Sequence, residues 1–212
     1  MNSRKNKVIA AIFILCIFVI SFIFLTRENQ VVTNFTSYNI PTTPTIVMIG
    51  DSLVEGYGAR KGNSLPEQVG SLIDTPIINL GVSGNTTEDV LQRIDDVPEN
   101  TYLTIVIAGG NDVLKRIPEE ETLANLRNIV AHLHAQGSIV AIASVKSSIF
   151  GEGSLTAKYK KIAEQSGSIY LGSILSDVYG NDSLMSDNIH PNTQGYAVIA
   201  EKIAATLSQY VD

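Results

Sequence analysis

The fold of the chain turns on Thr45-Ile46-Val47-Met48-Ile49-Gly50-Asp51-Ser52-Leu53, an apolar run that ends abruptly in a glycine, an acid and a serine. Residues 46–49 have the length and β-branched content of a buried strand, and Gly50 is expected to let the backbone turn where the strand stops. Ser52 is thereby delivered to the carboxyl end of a strand. In open α/β sheets ligands bind in the crevice beyond those ends, so Ser52 is a candidate nucleophile. On its own the Asp-Ser pair reads equally well as the cap of a following helix.

Working outward, four more short apolar runs follow, at residues 77–80, 103–108, 139–143 and 169–171. Each has strand length. Amphipathic segments separate them. Residues 64–73 start with a capping Ser64 and Pro66 in the first turn, and 86–97 place Val90, Leu91, Ile94 and Val97 on one face behind Thr86 or Thr87. Residues 119–136 carry Leu123, Leu126, Ile129, Val130 and Leu133 at helical spacing and stop at Gly137; 154–165 and 193–210 complete the set. Five strands alternating with five helices predict a parallel sheet covered on both faces, a three-layer α/β/α sandwich, because each crossover helix returns the chain to the same end. The loops from Gly50, Gly81, Gly109 and Val145 then open on one rim.

Ahead of this domain, residues 8–25 are almost unbroken hydrophobic sequence preceded by Arg4, Lys5 and Lys7. As a helix the run rises about 27 Å, close to the thickness of a hydrocarbon core, and the basic flank predicts a cytoplasmic N-terminus with the rest of the chain outside. Phe22-Ile23-Phe24-Leu25-Thr26 offers no small-x-small cleavage site, which favours an uncleaved signal anchor over a secreted or periplasmic product of cleavage. Residues 1–25 are thus read as basic end and transmembrane segment, 26–45 as a Thr- and Asn-rich polar tether with Pro41 and Pro44, and 46–212 as the folded domain. The tether would reach on the order of 25 Å as a flexible coil.

Cys16 is the only cysteine and lies in the apolar run, so the domain has no internal disulfide, cysteine nucleophile or thiolate metal site. Taking Arg4, Lys5 and Lys7 from the 15 basic residues leaves 12 against 21 acids. A balance this acidic argues against a nucleic-acid partner. No Walker or Gly-x-Gly-x-x-Gly pattern follows a strand, and no metal-ligand spacing is seen. His132 and His134, two apart in a helix, do not share a face as a metal pair would, and read as structural.

The third histidine stands in Asp187-Asn188-Ile189-His190-Pro191-Asn192. A serine hydroxyl needs an imidazole to take its proton and a carboxylate to fix the imidazole's tautomer. Asp187, three residues before His190, can reach Nδ1 in a tight turn and leave Nε2 for Ser52. Gly81-Val82-Ser83-Gly84-Asn85 and Gly109-Gly110-Asn111-Asp112 follow the second and third strands and could supply hydrogen-bond donors to a developing oxyanion. Each is also a plausible structural turn.

Taken in order, Gly50-Asp51-Ser52-Leu53, Gly81-x-Ser83-Gly84-Asn85-Thr86, Gly109-Gly110-Asn111-Asp112 and Asp187-x-x-His190-Pro191 resemble the four blocks of the GDSL-type, or SGNH, hydrolase superfamily, over nearly the whole of residues 46–203. The longer stretches 50–58 and 83–87 are most similar to its compact bacterial esterase, thioesterase and lysophospholipase branch. The resemblance implies a flavodoxin-like fold and a serine hydrolase without a cofactor. It makes Ser52 the nucleophile, Asp187 and His190 its acid and base, and the Ser52 amide, Gly81 and Asn111 the oxyanion hole. Asp51 and Asp112 are implied to hold turns. The expected substrate is a small-molecule or lipid ester, with Leu114, Ile149 and Phe150 as candidate walls of an acyl pocket. An O-deacetylase of cell-wall or exported polysaccharide is the second enzyme reading, and a non-catalytic surface module the rival from another class.

Overall fold

A computed structural model describes residues 40–145 and 154–211. The apolar segment 8–25, most of the tether, and Ile149 and Phe150 lie outside the described residues. Among the described residues no helix is long and apolar enough to cross a membrane.

Five strands form one parallel sheet: β1 (Ile46–Gly50), β2 (Ile77–Gly81), β3 (Leu103–Ile107), β4 (Ile139–Ser144) and β5 (Ile169–Ser173), in the order β2-β1-β3-β4-β5. The chain moves outward from β1 to one edge and then, through β3, to the other, so the strand order reverses between β1 and β3. That reversal opens the crevice in which doubly wound folds bind ligands. The helices are α1 (Ser52–Glu55), α2 (Leu65–Leu72), α3 (Thr87–Gln92), α4 (Gly110–Leu114), α5 (Glu119–Ala135), α6 (Ser154–Ser166) and α7 (Thr193–Val211).

Alternation along the strands divides the core between two faces. Ile46, Met48, Ile105 and Ile107 pack with Leu65 and Val69 of α2 and Ile199, Ile203 and Leu207 of α7. Val47, Ile49, Val106, Val140 and Ile142 pack with Leu126, Ile129 and Leu133 of α5 and Tyr159 and Ile162 of α6. Because both faces are covered, the central strands read as continuous apolar runs rather than alternating ones. Each such aliphatic side chain contributes roughly 1.5–3 kcal/mol on burial. The edge strand β2 is half-exposed, with Ile78 open to solvent and a polar Asn79 within it.

Local chemistry sets the helix starts. Glu67 accepts hydrogen bonds from the backbone N–H and hydroxyl of Ser64 ahead of α2, and Asp89 does the same for Thr86 ahead of α3. The segment expected as one helix over 86–97 is broken at Arg93 and continues as a single 3-10 turn, Ile94–Asp96. Arg93 turns its guanidinium back to the Gly50 carbonyl (2.8 Å) and Asn85 Oδ1 (2.7 Å), while Val90, Ile94 and Val97 remain buried.

Gly50 does something other than the expected turn. It ends β1 in register with Gly81 on one side and Ile107 on the other. A Cβ there would lie 1.9 Å from the Ile107 carbonyl oxygen, and a Cβ at Gly81 would lie 2.0 Å from the Glu55 nitrogen. The missing side chains let α1 fold back directly over the strand ends, which puts Ser52 at the crevice.

Candidate active site

Asp51 caps α1, its Oδ1 accepting from the Leu53 amide at 3.0 Å, so Ser52 is the first helical residue and its hydroxyl is half-buried at the rim. His190 Nε2 lies 2.9 Å from Ser52 Oγ, across 138 residues of chain. On the other side of the ring, Nδ1 is 2.8 Å from Asp187 Oδ2 and 3.1 Å from Oδ1. Asp187 Oδ1 also accepts from the Ile189 and His190 amides, both at 2.7 Å. Burial pulls the Asp187 carboxyl upward, but the His190 side chain and these two amides outweigh it and hold the group below its ordinary range.

The turn carrying this pair is closed on itself. The Ser186 amide donates to the His190 carbonyl (2.8 Å), Met185 bridges to Pro191, and Asn192 Oδ1 accepts from the Gln194 and Gly195 amides where α7 begins. Acid and base therefore form one rigid unit.

Asn111 enters from α4, just past β3. Its Nδ2 donates to the Asn85 carbonyl at 3.0 Å and lies 3.5 Å from Asp51 Oδ2, with the side chain on the wall of the crevice. Gly109 precedes it at φ 107, packed so closely on Tyr159 that a Cβ would lie 2.1 Å from the phenol oxygen. Buried Asp112 accepts from the Thr87 amide and hydroxyl and from Thr122, tying α4 to the starts of α3 and α5. The two motif aspartates hold turns, as the four-block pattern implies.

Gly81 requires a correction. Its amide donates to Asn79 Oδ1 at 2.9 Å, and the residue does not border the crevice. It ends the strand, and its role is the close approach of α1. The second-block residues at the crevice are Ser83 and Gly84, the latter at φ 83. Glu55 Oε2 accepts from the Ser83 amide (2.6 Å) and Lys115 Nζ donates to the Gly84 carbonyl (3.0 Å), so the peptides on either side of the Gly84 N–H are held.

Ser52, Asn111, Gly84 and His190 border a cavity of about 250 Å³, whose apolar wall includes Leu53, Leu114, Val145 and Leu175. Leu114, expected at a pocket, is there. Sequence reasoning missed Gly84, Tyr57 and Arg93. Gly84 was discoverable: with Thr86 capping α3, only residues 82–85 can span the loop. His132 and His134 lie elsewhere: His132 pairs with Asp95 at 3.2 Å, and both ring nitrogens of His134 are engaged by Ser138 and Ser168. Among the described residues no group of three or more His, Cys, Asp or Glu is placed to hold a metal.

Asp51 is the electrostatic oddity. Almost fully buried behind the serine, its carboxyl is pushed up to about 6 by the loss of solvent, against the lowering effects of the Leu53 amide and His190. Between its ordinary value of 3.8 and about 6 the folded chain retains a proton there that the unfolded chain releases. Its contribution to stability therefore falls as pH rises through that window, by roughly 3 kcal/mol. Denaturant melts of Asp51→Asn, neutral throughout, are expected to lack this slope; parallel curves for variant and parent from pH 4 to 6 would refute it.

The sequence profile of the GDSL-like lipase/acylhydrolase family matches residues 48–198, from within β1 to within α7. The chain belongs to that family. By this membership it is a hydrolase of ester bonds with the SGNH arrangement of motifs. Solved structures agree in fold. The psychrotrophic esterase EstA from Pseudoalteromonas sp., in a structure inhibited by monoethylphosphonate, superposes with a TM-score of 0.69 at 23% identity over 79% of this chain and 98% of its own. TesA gives 0.70 at 21% identity, over 78% and 98%. AlinE4, an SGNH-hydrolase family esterase, gives 0.63 at 29% identity, over 81% and 96%. No curated relative is matched by sequence.

Proposed function

We propose that this GDSL-family hydrolase cleaves carboxylic esters, with thioesters and lysophospholipids in the same chemical range, through an acyl-enzyme on Ser52. The observation that carries the reading is the contact line from Ser52 Oγ through the imidazole of His190 to Asp187. With Nδ1–H donating to the carboxylate, Nε2 is left to accept the serine proton, and the carboxylate stabilises the imidazolium that forms. Serine attack on the carbonyl sends charge to its oxygen, which the Asn111 side chain and the amides of Ser52 and Gly84 receive, Gly84 standing where Gly81 was expected. His190 then passes the proton to the leaving group, and water, activated by the same imidazole, releases the acid. AlinE4, described as an esterase at 29% identity, supports the reaction class. The apolar cavity wall favours an acyl chain over a polar acyl group.

The basic flank and apolar length of residues 8–25 support a further element of the proposal: an anchor that holds the catalytic domain outside the membrane. One experiment addresses both. A fluorophosphonate probe applied to fractionated cells producing the full chain is expected to label the protein, and to label it in the membrane fraction. EstA's inhibition by monoethylphosphonate makes the chemistry apt. A folded chain that stays unlabelled would overturn the acyl-enzyme; label confined to the soluble fraction would overturn the anchor alone.

A further inference from the structure

Tyr57 is 54% exposed and lies on the wall of the active-site cavity, its ring centroid 4.5 Å from that of His190 at an angle of 48°. An aromatic ring left this open adds little to fold stability, yet its backbone is held from several directions. The Tyr57 amide donates to the Ser52 carbonyl (3.0 Å), and its carbonyl accepts from the hydroxyl of Tyr196 (2.9 Å). It is flanked by Gly56 at φ 95 and Gly58 at φ 87. A Cβ on Gly58 would lie 2.2 Å from Ser186 Oγ and 2.6 Å from the Pro191 carbonyl, so the Gly56-Tyr57-Gly58 turn is laid directly on the loop that carries His190. A fixed base presenting an exposed ring beside the reacting imidazole is a mounting for something outside the fold.

The direction of the reaction says what. This step rests on the acyl-enzyme reading above. In acylation the serine oxygen–carbonyl carbon bond forms and the carbon–oxygen bond to the alcohol breaks, while the serine proton passes through Nε2 to the departing alcohol oxygen. That oxygen must come within hydrogen-bond reach of Nε2, so the alcohol leaves on the His190 side of Ser52, where Tyr57 and Ile189 form the wall. Leu114, on the same short helix as Asn111, and Val145, against Gly110, lie with the oxyanion donor instead. We infer that Tyr57 is a specificity-determining residue of the leaving-group subsite, favouring esters of apolar, extended or aromatic alcohols over those of small ones.

Deacylation provides the control. By then the alcohol has gone: water forms the new bond to the acyl carbon, the bond to Ser52 breaks, and the proton returns to the serine. Tyr57 should therefore act on acylation and not on deacylation. The test compares methyl, butyl and benzyl esters of a single acid, whose alcohols are similar in basicity, on the parent, Tyr57→Phe and Tyr57→Ala. The benzyl-over-methyl preference in kcat/KM is expected to persist in Tyr57→Phe and to fall about tenfold in Tyr57→Ala, the scale of losing one apolar subsite contact. The deacylation rate, read from the steady phase after a burst, is expected to stay unchanged. An unaltered alcohol preference, or a deacylation rate that drops in step with acylation, would overturn the assignment and leave Tyr57 a prop for the imidazole. Fluorophosphonate labelling of all three proteins separates this failure from a deeper one. Labelled Tyr57→Ala with an unchanged preference sinks only the subsite, whereas an unlabelled parent sinks the acyl-enzyme and the subsite with it.

Discussion

Ser52→Ala is expected to lower kcat on a short-chain p-nitrophenyl ester by roughly a millionfold, the scale seen when the nucleophile of such a triad is removed. The size follows from the arrangement. Among the described residues, the Ser52 hydroxyl is the one that hydrogen-bonds His190 Nε2, at 2.9 Å on the edge of the cavity. A residual rate above the uncatalysed one should persist, from substrate binding and the oxyanion donors proposed above. Circular dichroism should match the parent, since the half-buried Ser52 side chain has one hydrogen bond to lose and α1 is capped by Asp51. A variant within tenfold of the parent would dismiss the nucleophile assignment.

Asp187→Asn comes next in size. The amide that replaces the carboxylate cannot offset the imidazolium charge, and it presents a donor where Nδ1–H needs an acceptor. For a buried acid the loss is about ten-thousandfold. Here the Asp187 side chain is 43% exposed, so water screens part of its charge, and a kcat loss of about a hundredfold to a thousandfold is expected. The loss should fall on acylation and deacylation alike, because His190 acts as base in both. Turnover within a few-fold of the parent, with the fold intact, would mean that the carboxylate only shapes the turn through the Ile189 and His190 amides.

Much of this was readable beforehand, for identifiable reasons. The central strands stood out because burial on both faces leaves them almost wholly apolar, with buried Thr104 and Ser144 as exceptions, and the long helices because α5 and α7 repeat their apolar positions through several turns. Asp187 and His190 were legible because their interaction is local, three residues apart in one turn. What escaped detection was short or set by packing. With four and five residues, α1 and α4 are too brief for periodicity to register. The division of labour between Gly81 and Gly84 depends on where β2 ends and on how closely α1 crosses it, a contact between segments that no local pattern records. Tyr57 sat in plain view inside the first block, but its nearness to His190 exists only once the two ends of the chain are brought together.

That joining has a temporal side. The serine opens α1, directly after β1, and the histidine lies in the loop ahead of α7, and the Tyr196 hydroxyl that holds the Tyr57 turn belongs to α7 as well. A nascent polypeptide emerging from the ribosome thus carries Ser52 without its base until 138 further residues have been added. On the acyl-enzyme reading, a fragment cut short before His190 should lack triad-dependent esterase activity however well its sheet has formed.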